Sequence, residues 1–322
     1  MNWTVFPGSS SAHQVATLWW WMLGFATVVW IGVVVMMVIA IRRRRPDHPV
    51  GDKPPLEPMP TLLERETPAT MRGIGIATAL TVAILFGFMA YDFALGRSLP
   101  HHSVTPLTVT VRSHQWWWEF IYEDTLPGKR LVTANELHVP AGVPVHLVLE
   151  SPDVIHSFWA PRLSGKQDLV PGYRGGLIFT ADTAGTYGGV CAEFCGAQHA
   201  NMKFMVIAQV RADFERWWSE QQQSQSDPTD STLVAGQRAF LAAACATCHT
   251  ISGTNARGTV APDLTHLASR RTIASGTLTN TPEHLLQWIH DPQRVKPGTL
   301  MPATNLPPRT LQPLVAYLRS LK

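Results

Sequence analysis

The sequence predicts a multidomain chain: a pair of membrane-spanning helices, then a compact all-β sandwich or barrel, then a small all-α domain. Three observations carry that reading. Two long apolar blocks lie near the N-terminus, a run of short β-branched and aromatic segments follows, and beyond residue 232 the apolar spacing becomes helical. A length of 322 residues leaves room for two or three domains.

Leu18 to Ile41 contains 24 residues without a charge, and Gly73 to Tyr91 contains 19. About 20 apolar residues cross a bilayer core, so both blocks predict spans, over roughly 18–41 and 73–95. The first stops at Arg42, Arg43, Arg44 and Arg45, because an arginine at the membrane centre costs about 2.5–3.5 kcal/mol on insertion scales. Residues 1–17 hold no Lys or Arg, whereas 42–72 also carry Lys53, Arg65 and Arg72. Positive charge favours the cytoplasm, which places that loop inside and both termini outside. Trp19, Trp20 and Trp21 fall at the outer end of the first span, where indoles favour the headgroup layer. The first block is too long for a signal-peptide core and lacks a basic leader, so it reads as an uncleaved helix. The net charge of +3 comes largely from this topology signal, and no basic stripe points to nucleic acid.

From residue 97 the chain reads as an all-β domain extending to about 218. Its strands are predicted over 107–123, 135–142, 143–151, 176–180 and 202–210, separated by Pro, Gly, Asp and Asn, with a short helix after Val210. Residues 219–232 are polar and lack aliphatic side chains, which predicts a linker. The last domain, 233–322, contains three helical stretches. One opens with Thr281 as N-cap and Pro282 at the first position; the last is capped by Thr310 and turns Leu311, Leu314, Val315 and Leu318 to one face.

All four cysteines lie beyond the second span, as the pairs Cys191/Cys195 and Cys245/Cys248, and an oxidising exterior permits two disulfides. Around the first pair the sequence CAEFCGAQHANM adds His199 and Met202. Zinc usually takes Cys, His and carboxylate ligands, whereas thioether beside thiolate and imidazole favours copper. His156, in VIHSFW, offers a second imidazole.

Cys191, Glu193, Cys195, His199 and Met202, preceded by His156, resemble the dinuclear copper (CuA) loop of cytochrome c oxidase subunit II. The resemblance implies a cupredoxin-like Greek-key domain in which two coppers are bridged by Cys191 and Cys195. His156 and His199 would cap one metal each, with Met202 and the Glu193 carbonyl as further ligands. It also implies electron entry at Trp116, the first residue of an aromatic run, and a magnesium ion shared with subunit I at the Glu193 carboxylate. Met205 has the opposite strand parity to Met202 and reads as a packing residue. Glu64 and Glu66 do not match the family's channel-mouth glutamate, so no proton-entry residue is assigned.

CATCH, Cys245 to His249, is the attachment signature of c-type haem, with His249 as an iron ligand. Met301 is the single methionine after His249, which makes it the expected second axial ligand over His266, His284 and His290. The APDLTHL segment resembles the haem-packing loop of small cytochrome c domains, with Pro262 in the matching place. The whole chain therefore resembles subunit II of a caa3-type haem-copper oxidase. That implies a cytochrome c or other donor, subunit I and further subunits as partners, and a bacterial inner membrane with copper and haem on its outer side. Nitric oxide or nitrous oxide reductase components and copper carriers are the alternative classes. Intact copper ligands argue against a quinol oxidase subunit.

Overall fold

A computed structural model describes residues 7–43, 68–98, 107–123 and 130–322. It contains two compact units, residues 14–99 and residues 1–13 with 100–322.

The first unit holds two long helices, α1 (Ser10–Arg42) and α2 (Pro68–Ser98), both long and apolar enough to cross a membrane. Each extends past the predicted uncharged block, because main-chain hydrogen bonding continues into the polar flanks. Ser9 caps α1 by accepting from the Ala12 amide, and Pro68 opens α2, where a missing N–H costs nothing. The apolar side chains, Trp19, Trp20 and Trp21 among them, are exposed on these helices, as a lipid solvent requires. Arg44, Arg45, Lys53, Glu64, Arg65 and Glu66 lie outside the described residues.

The second unit begins with ten strands: β1 (Leu107–His114), β2 (Trp117–Glu123), β3 (Arg130–Ala134), β4 (Glu136–Pro140), β5 (Pro144–Glu150), β6 (His156–Trp159), β7 (Gln167–Leu169), β8 (Gly175–Thr180), β9 (Gly185–Cys191) and β10 (Lys203–Gln209). They form two five-stranded sheets, in the orders β3-β2-β1-β5-β8 and β4-β10-β9-β6-β7. Every pairing is antiparallel except β1 with β5 and β4 with β10, which gives a Greek-key, cupredoxin-like sandwich. Alternating residues of β1, β5 and β10 point inward, and Trp118, Phe120, Phe158 and Phe204 interlock edge-on and stacked at the centre.

The segment expected as one strand over 107–123 is instead a tight hairpin. His114 pairs with Trp117, and the Gln115 amide donates to the Asp153 carboxylate at 2.7 Å, which fixes the reversal. The three tryptophans therefore part company: Trp118 is fully buried, Trp117 stacks on His114, and Trp116 sits at the hairpin tip.

Helix α3 (Arg211–Gln221) follows, and its Trp217 stacks on His138. The polar stretch after it is pinned rather than loose. The Gln225 side chain donates to the Thr265 and Lys322 carbonyls, its amide to the Ser252 carbonyl, and buried His266 bonds the Gln221 carbonyl. Polar side chains hold this segment where apolar burial is lacking. His266 is thus buried.

Helices α4 (Ser231–Ala242), α5 (Cys245–Cys248), α6 (Pro282–His290), α7 (Pro292–Val295) and α8 (Pro308–Ser320) enclose a second apolar core, with the small hairpin β11 (Thr272–Ile273) and β12 (Leu278–Thr279) at its side. Asp230 caps α4 through the amides of Thr232 and Leu233, and Thr281 caps α6 as expected. Helix α8 starts before the expected Thr310 cap, because Pro307 and Pro308 preset the entry dihedrals; Leu311, Leu314, Val315 and Leu318 are buried on one face. Gly236 lets α4 and α8 touch: a Cβ there would lie 2.1 Å from the Pro313 carbonyl oxygen.

Candidate metal and haem centres

One end of the sandwich gathers the sulfur and imidazole donors. Cys191 is the last residue of β9, His156 the first of β6, and β6 and β9 are antiparallel neighbours, so pairing alone brings the two side chains together. Cys195 follows in the loop, His199 begins a short 3-10 helix, and Met202 immediately precedes β10.

The Cys191 and Cys195 sulfurs are 3.7 Å apart and both thiols are free. His156 Nδ1 lies 3.8 Å from Cys191 Sγ, His199 Nδ1 3.6 Å from Cys195 Sγ, Met202 Sδ 3.8 Å from Cys195 Sγ, and the Glu193 carbonyl 3.2 Å from Cys191 Sγ. Donors about 2.0–2.3 Å from a four-coordinate ion are about 3.3–3.8 Å from one another, so this spacing suits a shared metal centre and not a disulfide. The set is soft, with two sulfurs, a thioether and two imidazoles, which fits copper. Cys191, Cys195, His156 and Met202 are buried.

Two neighbours unmarked by the motif orient the ligands. The His156 Nε2–H donates to Asp153 at 2.9 Å, which leaves Nδ1 facing the sulfurs. Burial opposes ionisation of Asp153, but hydrogen bonds from His156 and the amides of Val154 and Gln115 outweigh it and hold the carboxyl at about 2. The Cys195 carbonyl accepts from Gln115 Nε2 at 2.8 Å and from Trp116 Nε1 at 2.9 Å. Within the pair, the contact between the two sulfurs keeps Cys191 far below the ordinary thiol range and pushes Cys195 up. An Asp three residues before the histidine was the available sequence signal for Asp153; the Gln115 contact spans 80 residues and left none.

The Glu193 carboxylate points outward, 4.0 Å from Lys166 Nζ. Among the described residues it joins no cluster of three donor side chains, so nothing supports the expected magnesium ion. Met205 is half-buried on β10, paired with Gly188 of β9 and Glu136 of β4.

A cavity of about 530 Å³ lies in the helical part. Cys245, Cys248, His249, Pro262, Trp288 and Met301 line it, and Gln115 and Trp116 reach it from the sandwich. His249 Nδ1–H donates to the Pro262 carbonyl at 2.7 Å, so the unprotonated Nε2 is left to bind a metal, and burial lowers the His249 pKa in favour of that neutral form. Two thiols on one helical turn, an oriented imidazole and a thioether around an apolar cavity fit a covalently held haem. His266, His284 and His290 do not line the cavity.

Two helices fit to cross a membrane, a sandwich with a soft donor set and a helical part with a thiol- and imidazole-lined cavity define a membrane-anchored protein with candidate redox-metal sites. Residues 127–210 match the family described as cytochrome c oxidase subunit II, periplasmic domain, and residues 233–322 match cytochrome c. The chain is 33% identical over 293 residues to cytochrome c oxidase subunit 2 of Alkalihalophilus pseudofirmus, covering 90% of this chain and 81% of that one. It is 34% identical to cytochrome c oxidase subunit 2 of Bacillus sp. strain PS3, over 67% of this chain and 62% of the relative. A crystal structure of the periplasmic domain of the Bradyrhizobium japonicum oxidase subunit II aligns at TM-score 0.34 and 26% identity, covering 36% of this chain and 94% of that one. The chain belongs to the cytochrome c oxidase subunit II family, and with its cytochrome c domain it serves electron transfer in a haem-copper oxidase.

Proposed function

We propose that this chain is the electron-entry subunit of a caa3-type terminal oxidase. A cytochrome c or other donor would reduce a haem c attached at Cys245 and Cys248 and ligated by His249 and Met301. The electron would pass by Trp116 to a dinuclear copper held by His156, Cys191, the Glu193 carbonyl, Cys195, His199 and Met202, and onward to haem in subunit I. Oxygen would be reduced to water there, coupled to proton translocation. Residues 1–96 form the membrane hairpin in this reading, 97–218 the copper domain and 233–322 the haem domain, with both soluble domains on the outer side of a bacterial inner membrane.

The observation that carries the reading is the donor set, in which His156, His199, Met202 and the Glu193 carbonyl each lie 3.2–3.8 Å from one of two cysteine sulfurs that are themselves 3.7 Å apart. When bound, the metals supply one-electron redox chemistry. The chain's own contribution is to hold the ligands still: β6 and β9 fix His156 and Cys191 by strand pairing, Asp153 sets the His156 tautomer, and Gln115 and Trp116 clamp the Cys195 carbonyl. A site that changes little between oxidation states loses little energy to rearrangement. Burial of both cysteines keeps water from the thiolates.

The test is turnover of the detergent-purified native complex with a reduced cytochrome c donor, offering oxygen, nitric oxide and nitrous oxide separately. Oxygen consumption that disappears in Cys195→Ser is the expected result. Reduction of a nitrogen oxide alone, or no turnover in a fully loaded complex, would sink the oxidase reading.

A further inference from the structure

A seam of hydrogen bonds joins the sandwich to the helical part, and a buried lysine lies at its centre. Lys296 is 2% exposed. Its Nζ donates to three main-chain carbonyls, Trp116 at 2.8 Å, Asn201 at 3.0 Å and Ala274 at 3.4 Å. A protonated lysine has three N–H donors and no acceptor, so these carbonyls account for its whole capacity. Two of them belong to the sandwich and one to the β11–β12 turn. Desolvation pulls the Lys296 amine down to about 7, against a smaller opposing charge interaction with the Cys195 sulfur.

The surroundings of Trp116 show what this contact secures. Its indole N–H donates to the Cys195 carbonyl, and its own carbonyl accepts from Lys296. Two glycines approach the ring closely: a Cβ at Gly196, beside Cys195, would lie 3.1 Å from Cζ2, and one at Gly298, on the Met301 loop, 3.7 Å from Cη2. The path from Lys296 to Met301 is stiff. Gln293 donates to the Thr299 and Met301 carbonyls and accepts from the Gly298 amide, and the Thr299 amide donates to the Lys296 carbonyl. In the turn that supplies the third carbonyl, Ala274 and Ser275 have φ of 52° and 57°, a region that residues with a Cβ rarely occupy unless neighbours hold them there. Ser275 meets Lys203 of the sandwich in both directions, through its hydroxyl to the Lys203 carbonyl and its carbonyl from the Lys203 amide.

We propose that Lys296 is a positioning residue that locks the helical part onto the sandwich and fixes Trp116 between the loop of Met301 and the loop of Cys195. The inference rests on the haem and copper assignments above. It differs from a tether, which raises encounter frequency but leaves each transfer to a diffusive collision. With the lock in place, the two loops are in contact before the electron arrives.

The experiment uses the full chain in detergent with both cofactors loaded. Haem is reduced by a light pulse through an added photosensitiser with a sacrificial electron donor, and the copper absorbance is followed in buffers of rising glycerol content. The unmutated protein should give a rate independent of viscosity. Lys296→Met should keep the haem and copper spectra but slow transfer by roughly tenfold and make it viscosity-dependent, as expected of a tethered encounter. Hydrogen exchange at the Lys203 amide, which faces Ser275 across the seam, should rise in the same variant. A viscosity-dependent rate in the unmutated protein overturns the proposal without any variant, as does an unchanged rate and exchange in Lys296→Met. Absence of all haem-to-copper transfer in the unmutated protein overturns the underlying route instead, and is seen before any substitution is made.

Discussion

Replacing Gly236 by alanine probes the crossing on which the helical part depends. The added Cβ would lie 2.1 Å from the Pro313 oxygen and 2.6 Å from the Tyr317 Cβ, against ordinary contacts of 3.4 Å or more. Both obstacles are on α8 and neither is the end of a flexible side chain, so α4 and α8 must part by more than 1 Å. Overpacking of this kind costs about 1–3 kcal/mol. Removing a glycine from a helix interior returns about 0.5–1 kcal/mol, which leaves a net loss centred on about 1 kcal/mol. For a domain of this size each kcal/mol moves Tm by about 4–8 °C, so the expected fall is about 4–8 °C. The assay is thermal unfolding of the loaded full chain, followed through the haem circular dichroism. An unchanged or raised Tm would refute the reasoning, because it would show that the helices separate without cost and that glycine is not what permits their contact.

Met301→Ala should abolish the methionine-to-iron absorption band of the oxidised haem, whereas Met205→Ala should leave it intact; loss of the band in neither variant would remove Met301 from the ligand set. At acid pH the sandwich should lose the support of Glu150, which meets Arg174 at 2.6 Å and Arg112 at 3.4 Å. Burial works against the Glu150 charge, but the two arginines prevail and lower its pKa beneath 4.5. Its contribution is therefore present above 4.5 and is lost as pH falls through the lower folded value. Glu150→Gln should flatten that acid limb in a pH series of melting curves, and an unaltered limb would assign it to other carboxylates.

The donor side chains were legible because spacing carries their chemistry: two cysteines four apart with His199 and Met202 following, and CATCH with one later methionine, need no tertiary information. The strands that deliver them were less visible. Gly185–Cys191 was not predicted as a strand because Gly188 and Gly189 weaken the pattern, yet the Phe204 ring occupies the space where a Gly189 Cβ would lie, 2.2 Å away. Packing demanded the glycine that propensity counts against a strand. The polar stretch before α4 misled in the other direction, because hydrogen bonds from Gln225 hold it without any hydrophobic signal. Lys296 was equally silent, since its three partners are backbone atoms distant in sequence and a lone lysine predicts exposure.

The reliance of that seam on main-chain acceptors affects how the two parts can change over time. Trp116, Asn201, Lys203 and Pro297 each offer a carbonyl across it, with Lys296, Ser275 and Gln198 as donors. A carbonyl survives any substitution of its residue that preserves the backbone path, so the acceptor positions can drift while the join persists. Three sandwich side chains also take part: the Glu136 carboxylate receives the Arg271 and Thr272 amides, Thr186 Oγ1 accepts from the Arg271 guanidinium, and Gln198 donates to the Pro297 carbonyl. The helical part is therefore portable within limits: a sandwich of different sequence would accept it as a graft, provided its backbone followed the same course and the side chains of Trp116, Glu136, Thr186 and Gln198 were kept.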